Sequence, residues 1–435
     1  MLLITNGRVL NPATRLEADA NVLIVGDRIE KIGSPASVGA RALELQRVTG
    51  EDIEELSARG LVVAPGFVDV HVHFRDPGLT YKEDIHTGSA AAAAGGYTTV
   101  VCMANTKPPV DHEAVLTDLR NRAKDLPIHV LNAANVTTSM SGQKLTDMEK
   151  LQAAGACGFT DDGVPIRDEK LMLQALQMAK KLDVPISVHE EDPELLLSQG
   201  VNQGAVSEKL GLGGAPAVSE AVLVARDCLL NQSVGAKLDI QHISAKMTVD
   251  ILRFMKAEGV EVYGEVTPQH LYATEELVLQ KGSLARVNPP LRTEEDRQAL
   301  ISGLCDGTID MIATDHAPHA KEEKAKPIAD APSGMIGLET AFALCYTVLV
   351  KSGRMTLLEL CEKMSYNPAR LYGLDAGELR EGGPADLVLL DPKEEWTITE
   401  ECFRSKSKNS PFVGERVTGR VKYTICDGKI VGLDN

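Results

Sequence analysis

The central stretch of the chain, residues 65–375, repeats one pattern: a short apolar run ending in polar residues, followed by a longer segment rich in Ala and Leu. Short apolar runs of this kind are typical of buried strands. Eight of them occur in series: GFVDVHVHF (66–74), GYTTVVCMA (96–104), PIHVLNAANV (127–136), ACGFTDDG (156–163), PISVHEED (185–192), KLDIQHIS (237–244), VEVYGEVTP (260–268) and DMIATDHAPH (310–319).

The segments between these runs have a helical pattern. In DEKLMLQALQMAKKL and VDILRFMKAEG the apolar residues recur every three or four positions. Eight strand-then-helix units in series predict an α/β fold, a (β/α)8 TIM barrel. The longer gaps after the fifth and seventh runs are predicted to hold insertions, and AKEEKAKPIADAPSG (320–334) is predicted to be a mobile loop.

The two ends of the chain, 1–64 and 376–435, alternate apolar and polar residues in short bursts. ANVLIVGDRIEKIG contains a Gly26-Asp27 turn, and VKYTICDGKIVG repeats that pattern near the carboxyl terminus. We expect the ends to pair into a small β-sandwich domain. The predicted organisation is residues 1–64 as its first part, 65–375 as the barrel and 376–435 as its second part.

Charge and composition exclude several classes of protein. The chain has 45 Lys and Arg against 62 Asp and Glu, a formal charge of −17. No dense basic run is available to bind phosphates, so no nucleic-acid partner is expected. No apolar stretch approaches the ~20 residues of a membrane span, and the amino terminus MLLITNGRVL does not resemble a signal peptide. None of the 8 cysteines forms a CxxC motif. We therefore expect buried thiols in a cytoplasmic protein.

Polar residues collect where the predicted strands end, which in a barrel is the active-site face. His71 and His73 are two apart on the first strand, so their side chains share one face. Other candidates end separate runs: Asp161 and Asp162 the fourth, His189 the fifth, His242 the sixth, and Asp315, His316 and His319 the eighth.

Each of these residues has an alternative interpretation. An isolated His at a strand end is often a hydrogen-bonded structural residue, Asp-Asp-Gly is a turn signal, and Asp315 could cap a helix. Independent structural roles would not require all of them to lie at one end of separate strands, so a shared metal site is favoured. His86, His112 and His129 fall outside this pattern and are predicted to be ordinary. GLGG (211–214) is not placed as a phosphate loop would be.

Nitrogen and oxygen donors without a thiolate suit Zn²⁺ or another borderline divalent ion, with one or two ions per subunit. A bound metal lowers the pKa of its water to about 7 and polarises a carbonyl, so hydrolysis is the predicted chemistry. Asp315, at the end of the last strand, is the candidate general acid and base.

Several segments carry a family resemblance: PGFVDVHVHFRDPG (65–78), GGYTTV (95–100), MANT (103–106), FTDDG (159–163), NPPLR (288–292) and IATDHAPH (312–319). Together they resemble the bacterial type I dihydroorotases of the amidohydrolase superfamily, over nearly the whole chain. The resemblance implies reversible cyclisation of N-carbamoyl-L-aspartate to L-dihydroorotate, a step of pyrimidine synthesis. It also implies a homo-oligomer with a possible aspartate transcarbamoylase partner.

The resemblance further implies a role for each matching residue. The implied metal ligands are His71 and His73 for one ion, His189 and His242 for a second, Asp162 between the two ions, and Asp315. The implied substrate-binding residues are His73, Arg75, Asn105, Asn288, His319, Ser333 and Gly334. A guanidinium offers paired donors to a carboxylate, which suits Arg75 to the substrate's α-carboxylate.

The chain departs from the wider superfamily in one respect. Most members with two metals bridge them with a carboxylated Lys at the end of the fourth strand, and this chain has no Lys between Lys150 and Lys170. Asp162 is the expected bridge. Asp161 is the alternative, but adjacent strand residues face opposite ways, so only one of the two should point into the barrel. Two smaller departures are Ala104, where relatives often carry Pro, and Ser333, where an aromatic residue is common.

Two other functions remain open. A dihydropyrimidinase or allantoinase is the nearest enzymatic alternative, and Arg75 argues against it because neutral cyclic amides offer no carboxylate. An inactive scaffold for aspartate transcarbamoylase is the alternative from another class. Inactive copies lose metal ligands, whereas this chain keeps all of them.

Overall fold

The computed structural model describes residues 1–433. The amino-terminal segment forms strands β1 (Leu2–Asn11), β2 (Leu16–Val25), β3 (Arg28–Gly33), β4 (Glu54–Ser57) and β5 (Val62–Pro65). Between β3 and β4 lies helix α1 (Pro35–Thr49), which the alternating pattern does not predict. Its signals are local: Ser34 caps the amino end, Pro35 occupies the first turn, and Gly50 ends the helix with a φ of 74°.

All eight predicted barrel strands are present: β6 (Phe67–Val72), β7 (Tyr97–Cys102), β8 (His129–Asn132), β9 (Phe159–Thr160), β10 (Ile186–Val188), β11 (Leu238–Ile240), β12 (Val262–Val266) and β13 (Met311–Ile312). They pair in parallel as two groups, β6 to β8 and β9 to β13. Parallel bridges from Ala134 to Phe159 and from Val72 to His316 join the groups at both edges. The sheet therefore closes into a barrel, with the carboxyl ends of all eight strands at one face.

Helices surround this barrel and separate its strands. They are α2 (Ile85–Ala94), α3 (Glu113–Ala123), α4 (Met148–Ala154), α5 (Glu169–Leu182), α6 (Ala205–Lys209), α7 (Ala217–Gln232), α8 (Lys246–Ala257), α9 (Pro268–Tyr272), α10 (Glu276–Lys281), α11 (Glu294–Asp306), α12 (Lys321–Lys324), α13 (Ala341–Cys345), α14 (Leu357–Cys361) and α15 (Asn367–Leu371). Two π-helical turns, Tyr346–Val350 and Glu362–Tyr366, extend α13 and α14. The insertions lie where the sequence predicts them: α6 follows β10, and α9 and α10 follow β12.

The carboxyl-terminal segment adds β14 (Leu387–Thr397), β15 (Arg416–Cys426) and β16 (Lys429–Leu433). One eight-stranded sheet contains strands from both ends, in the order β16-β15-β14-β5-β1-β2-β3, with β4 on the side of β1. The antiparallel pairing of β5 with β14 joins the two ends of the chain. The fold class is the predicted one, a TIM barrel with a β-sandwich domain built from the termini. The exact domain boundaries stay a prediction.

All eight cysteines are free thiols, and five of them are buried. The prediction of buried thiols is wrong for Cys305, which is exposed on α11. Within residues 1–433, no helix combines the length and the apolar character that crossing a membrane requires.

Candidate metal centre and active site

The residues predicted as metal ligands come together at the carboxyl-terminal face of the barrel. His71 lies on β6 and His73 just beyond it, while the other four follow the ends of β9, β10, β11 and β13: Asp162, His189, His242 and Asp315. All six are buried. Each strand ends in polar side chains, and barrel closure brings these ends together.

The first group of donors contains His71, His73 and Asp162. The Nε2 atoms of His71 and His73 lie 3.5 and 3.4 Å from the two carboxylate oxygens of Asp162. The two imidazole rings are 5.4 Å apart between centroids, so both face the barrel interior. The period-2 argument for HxH therefore describes this pair correctly.

The second group contains His189, His242 and, again, Asp162. The Nδ1 atom of His189 and the Nε2 atom of His242 lie 3.6 and 3.7 Å from Oδ1 of Asp162. Asp162 is the residue common to both groups. Asp161 points elsewhere and accepts hydrogen bonds from the backbone N–H groups of Val136 and Thr137.

The arrangement of these donor atoms suits a bound metal ion better than it suits hydrogen bonds among the side chains. Nε2 of His71 is buried and has no hydrogen-bond partner in the described part of the chain. The His189 and His242 nitrogens approach to 2.8 Å. Buried polar atoms are normally satisfied, and an ion between the rings would engage these nitrogens. Four imidazoles and two carboxylates form a donor set suited to zinc-like divalent ions.

Further polar groups orient the imidazoles through their other nitrogens. Glu265, on β12, lies 3.0 Å from Nδ1 of His71, and Asn105 Oδ1 lies 3.0 Å from Nδ1 of His73. Glu191 lies 3.3 Å from Nε2 of His189. Such contacts fix the tautomer and ring orientation of a ligand. Sequence reasoning missed Glu265 and Glu191, although a Glu on an apolar strand and a Glu two residues after His189 were visible signals.

Electrostatics keep the carboxylates ionised. Burial alone would raise the pKa of Asp162, but His71, His189 and His242 hold it well below its ordinary value. Burial also acts to raise the pKa of Asp315, and contacts with His73 and His71 outweigh it and lower the pKa. Both carboxylates are therefore anionic at neutral pH and available to a cation.

Asp315 follows β13 and faces the first group of ligands. Its Oδ1 lies 3.1 Å from Nε2 of His73 and 3.7 Å from Nε2 of His71. Its φ is 47°, in the left-handed region that non-glycine residues seldom occupy. Arg75 and His242 share this property, with φ values of 57° and 36°. Strained residues of this kind cluster at functional sites.

A basic group lies beside the ligands. Nε of Arg75 donates to the carbonyl oxygen of Pro318, and its guanidinium reaches 3.4 Å from Nε2 of His319. Nζ of Lys82 lies 3.2 Å from Nδ1 of His319. Burial, together with Arg75, Lys82 and Lys324, lowers the pKa of His319 to about 2. His319 is therefore neutral, and Arg75 and Lys82 place positive charge at this edge of the site. Sequence reasoning did not identify Lys82, which lies outside every strand end.

The remaining predicted substrate residues lie around the same opening. Ser333 donates its hydroxyl to Oδ1 of Asn288, and its carbonyl oxygen lies 2.8 Å from Nε2 of His319. Gly334 has a φ of 131°, and a Cβ there would approach the Ala317 Cβ to 2.8 Å. Asn105 uses its amide NH₂ on Asp162, so its polar atoms already engage two predicted ligands.

The 320–334 segment is folded against this opening. Lys324, on α12, is buried and donates to the carbonyl oxygens of Pro332 and Gly334 at 2.9 Å. Glu323 pairs with Lys82 at 3.1 Å. The segment predicted to be a mobile loop is thus held over the site by buried and half-buried contacts.

The histidines predicted to be ordinary lie away from the centre. His86 is exposed on α2, and His112 caps α3 by accepting from the N–H of Ala114. His129 begins β8, at the opposite end of the barrel, and pairs with Asp386.

The chain resembles known proteins over its full length. It is 50% identical over 434 residues to a dihydroorotase of Clostridium acetobutylicum, covering 100% of both chains. It is 51% identical to one of Clostridioides difficile and 50% to one of Lactococcus lactis, with 99% of each chain covered.

Solved structures of similar fold are named hydantoinases rather than dihydroorotases. An L-hydantoinase (dihydropyrimidinase) from Arthrobacter aurescens matches with a TM-score of 0.86 at 26% identity, covering 99% of this chain and 96% of that one. A D-hydantoinase (dihydropyrimidinase) from Thermus sp. matches with a TM-score of 0.84 at 26% identity, covering 100% and 96%. A model of the amidohydrolase family matches residues 62–431. The chain belongs to the amidohydrolase family and, within it, to the dihydroorotases.

Proposed function

We propose that the chain catalyses the reversible cyclisation of N-carbamoyl-L-aspartate to L-dihydroorotate plus water. The observation that carries this proposal is identity of about 50% to curated dihydroorotases over the full length of the chain. The geometry supports it, because buried imidazoles and carboxylates lie beside an opening lined by the cationic side chains of Arg75 and Lys82. A dianionic substrate needs such an opening in a protein whose net charge is −17.

The proposed metal ligands are His71 and His73 for one divalent ion and His189 and His242 for another, with Asp162 shared. Zn²⁺ is the proposed ion because the donors are nitrogen and oxygen only. When bound, the metal supplies Lewis-acid polarisation of the amide carbonyl and an activated water. Burial and Arg75 lower the pKa of His73, which keeps this imidazole in the neutral form that binds metals.

Arg75 is proposed to bind the substrate carboxylate. It lies two residues beyond His73, so it sets the distance between the carboxylate and the reacting amide. Asn105, Asn288 and His319 are proposed to complete the pocket. The Ser333 and Gly334 backbone is proposed to close over the ring and exclude water.

Asp315 is proposed to hold and move the proton. Its carboxylate is ionised, buried and within 4 Å of both His71 and His73 nitrogens. In hydrolysis it takes a proton from the attacking water and delivers it to the leaving nitrogen. In cyclisation the same steps run in reverse.

The direct test is turnover of dihydroorotate, followed by the absorbance of its amide, with metal content measured on the same sample. Chelation should abolish activity and Zn²⁺ should restore it. Arg75→Ala should greatly lower kcat/KM for dihydroorotate with metal content unchanged, and Arg75→Lys should recover only part because it lacks the planar fork. Unchanged kcat/KM in Arg75→Ala would refute the assignment of substrate.

The hydantoinase names of the structural neighbours favour a second candidate, hydrolysis of neutral cyclic amides. Hydantoin and dihydrouracil have no carboxylate for Arg75, so we expect wild-type turnover of both to be far below that of dihydroorotate. Equal rates on the neutral amides would support this candidate. Cytoplasmic location, homo-oligomerisation and contact with aspartate transcarbamoylase stay predictions, and the last two are testable by size-exclusion chromatography with and without the transcarbamoylase.

A further inference from the structure

A second group of metal-binding side chains lies at the opposite end of the barrel from the active site. It consists of His129, Cys426 and Asp427, whose donor atoms all lie within 4.8 Å of one another. Asp386 completes the group, since its Oδ2 lies 3.1 Å from Nε2 of His129. We propose that these four residues bind a structural zinc ion that cross-links the barrel to the terminal sheet domain.

The distances are close to those that zinc requires. Nε2 of His129 lies 3.1 Å from Asp386 and 3.6 Å from Oδ1 of Asp427. Tetrahedral zinc with bonds of about 2.0–2.3 Å sets its ligand atoms about 3.2–3.8 Å apart. The donors of His129, Cys426 and Asp427 lie within 4.8 Å of one another, so side-chain rotations that bring them and Asp386 about 1 Å closer would place one imidazole, one thiolate and two carboxylates around a single ion.

The positions of these residues in the fold indicate what a bound ion would do. His129 begins β8 of the barrel, Asp386 directly precedes β14, Cys426 ends β15, and Asp427 follows it in the turn to β16. The group therefore unites three segments that are distant in sequence. A metal bond between such segments contributes directly to folding free energy.

The chemistry of the group favours a cation. Two carboxylates face one imidazole, and the Cys426 thiol, 3.7 Å from the Thr98 carbonyl oxygen, also contacts the Asp386 carboxylate. A thiol becomes a strong zinc ligand on losing its proton, and the bound ion itself favours that loss.

The surroundings add negative charge and give access. A cavity of about 240 Å³ lies against His129, Asp386 and Asp427. Asp27 and Asp375 also line it, and Arg28 is within 4 Å of both of these carboxylates. The carboxylates outnumber the cation, so the cavity attracts a divalent ion from solvent.

A thiolate ligand distinguishes this site from the catalytic centre, whose proposed ligands are nitrogen and oxygen only. Full-length protein stripped with a chelator and titrated with Co²⁺ should develop a near-ultraviolet thiolate-to-cobalt charge-transfer band. Cys426→Ser should lose the band and bind one metal equivalent fewer, while dihydroorotate turnover persists. Cys305→Ser, which removes an exposed thiol on α11, should keep the band.

A second readout is thermal stability. Zn²⁺ beyond the amount that restores turnover should raise the Tm of the wild type but not of His129→Asn. Absence of the band in wild-type protein saturated with Co²⁺, or its persistence in Cys426→Ser, would overturn the proposal whether or not the variants fold well. The charge-transfer band does not depend on the enzymatic assignment.

Discussion

Polar and charged side chains at the two ends of the barrel differ in how well the protein itself satisfies them. At the carboxyl-terminal end, the His189 and His242 nitrogens lie 2.8 Å apart, and Asp315 has a φ of 47°. At the amino-terminal end, Asp310 accepts from the N–H of Gly264 at 2.8 Å and pairs with Lys256 at 2.6 Å. The first end thus retains contacts that a bound cation would relieve, whereas Asp310 at the other end is satisfied by the protein itself.

The residues proposed for catalysis therefore lie at one end of the barrel, and the Asp310 contacts, which stabilise the fold, lie at the other. Strain and crowded imidazoles are costly, and they persist at the end where the chemistry is proposed. The difference between the ends also ranks the two proposed metal sites. An ion at His129 would join side chains that are already paired, so we expect it to bind more weakly there than at the catalytic centre.

The largest expected effect on kcat is at Asp315, at the carboxyl-terminal end of the barrel. Asp315→Asn removes the proposed proton carrier and should lower kcat by about 10²–10⁴-fold. The matched control is Asp310→Asn, at the other end of the same strand, which should leave kcat unchanged while lowering stability. Steady-state kinetics and metal content on both variants test this, and equal kcat in the two variants would contradict it.

Glu265 tests the orientation of the metal ligands. Glu265→Gln weakens the contact that fixes His71 and should lower metal affinity by about 10–100-fold. Competition with a chelator measures this affinity. Glu275→Gln alters a buried carboxylate that bonds to Asn202 instead, and it should retain wild-type affinity. A loss of equal size in both variants would argue against a specific role for Glu265.

Gly334 tests the closure of the 320–334 segment. In Gly334→Ala the new Cβ would meet Ala317 at 2.8 Å and His319 at 3.0 Å. We expect a loss of about 1–3 kcal/mol of stability from overpacking, together with a raised KM for dihydroorotate. Gly382 also has a positive φ, 79°, but open space around it, so Gly382→Ala should not change KM. Denaturant melts and kinetics distinguish the two.

The smallest effect on catalysis is expected at Glu339, beside a cavity of about 220 Å³ between the barrel and the terminal sheet domain. Burial raises the pKa of Glu339 to about 8 from an ordinary value near 4.5. The folded state therefore binds more protons than the unfolded state between these values, and stability should fall as pH rises from 4.5 to 8.

Glu339→Gln should flatten that slope without changing kcat. Glu401→Gln, at a fully exposed carboxylate lining the same cavity, should not flatten it. Urea melts at several pH values provide the measurement. Equal slopes in the wild type and in Glu339→Gln would show that the pKa of Glu339 is not raised.

The sequence alone determined the barrel and the positions of the candidate donors. Eight apolar runs with helical segments between them predict the eight strands, because strand and helix periods are local properties of the chain. The polar ends of those runs identify all six metal candidates for the same reason. Helix α1 was also signalled locally, by Ser34, Pro35 and Gly50, but the surrounding alternation obscured it.

Only the tertiary structure decided which groups support the donors. Glu265, Lys82 and the His129 group act through residues far away in sequence, 194 positions in the case of Glu265 and His71. The hydrophobic periodicity of the sequence carries no information about contacts between residues so far apart in the chain. Likewise, it is the carboxylate of Asp162, and not that of Asp161, that faces four imidazoles when the strands close. Local pattern specifies strands and their polar ends, whereas barrel closure determines which polar ends meet.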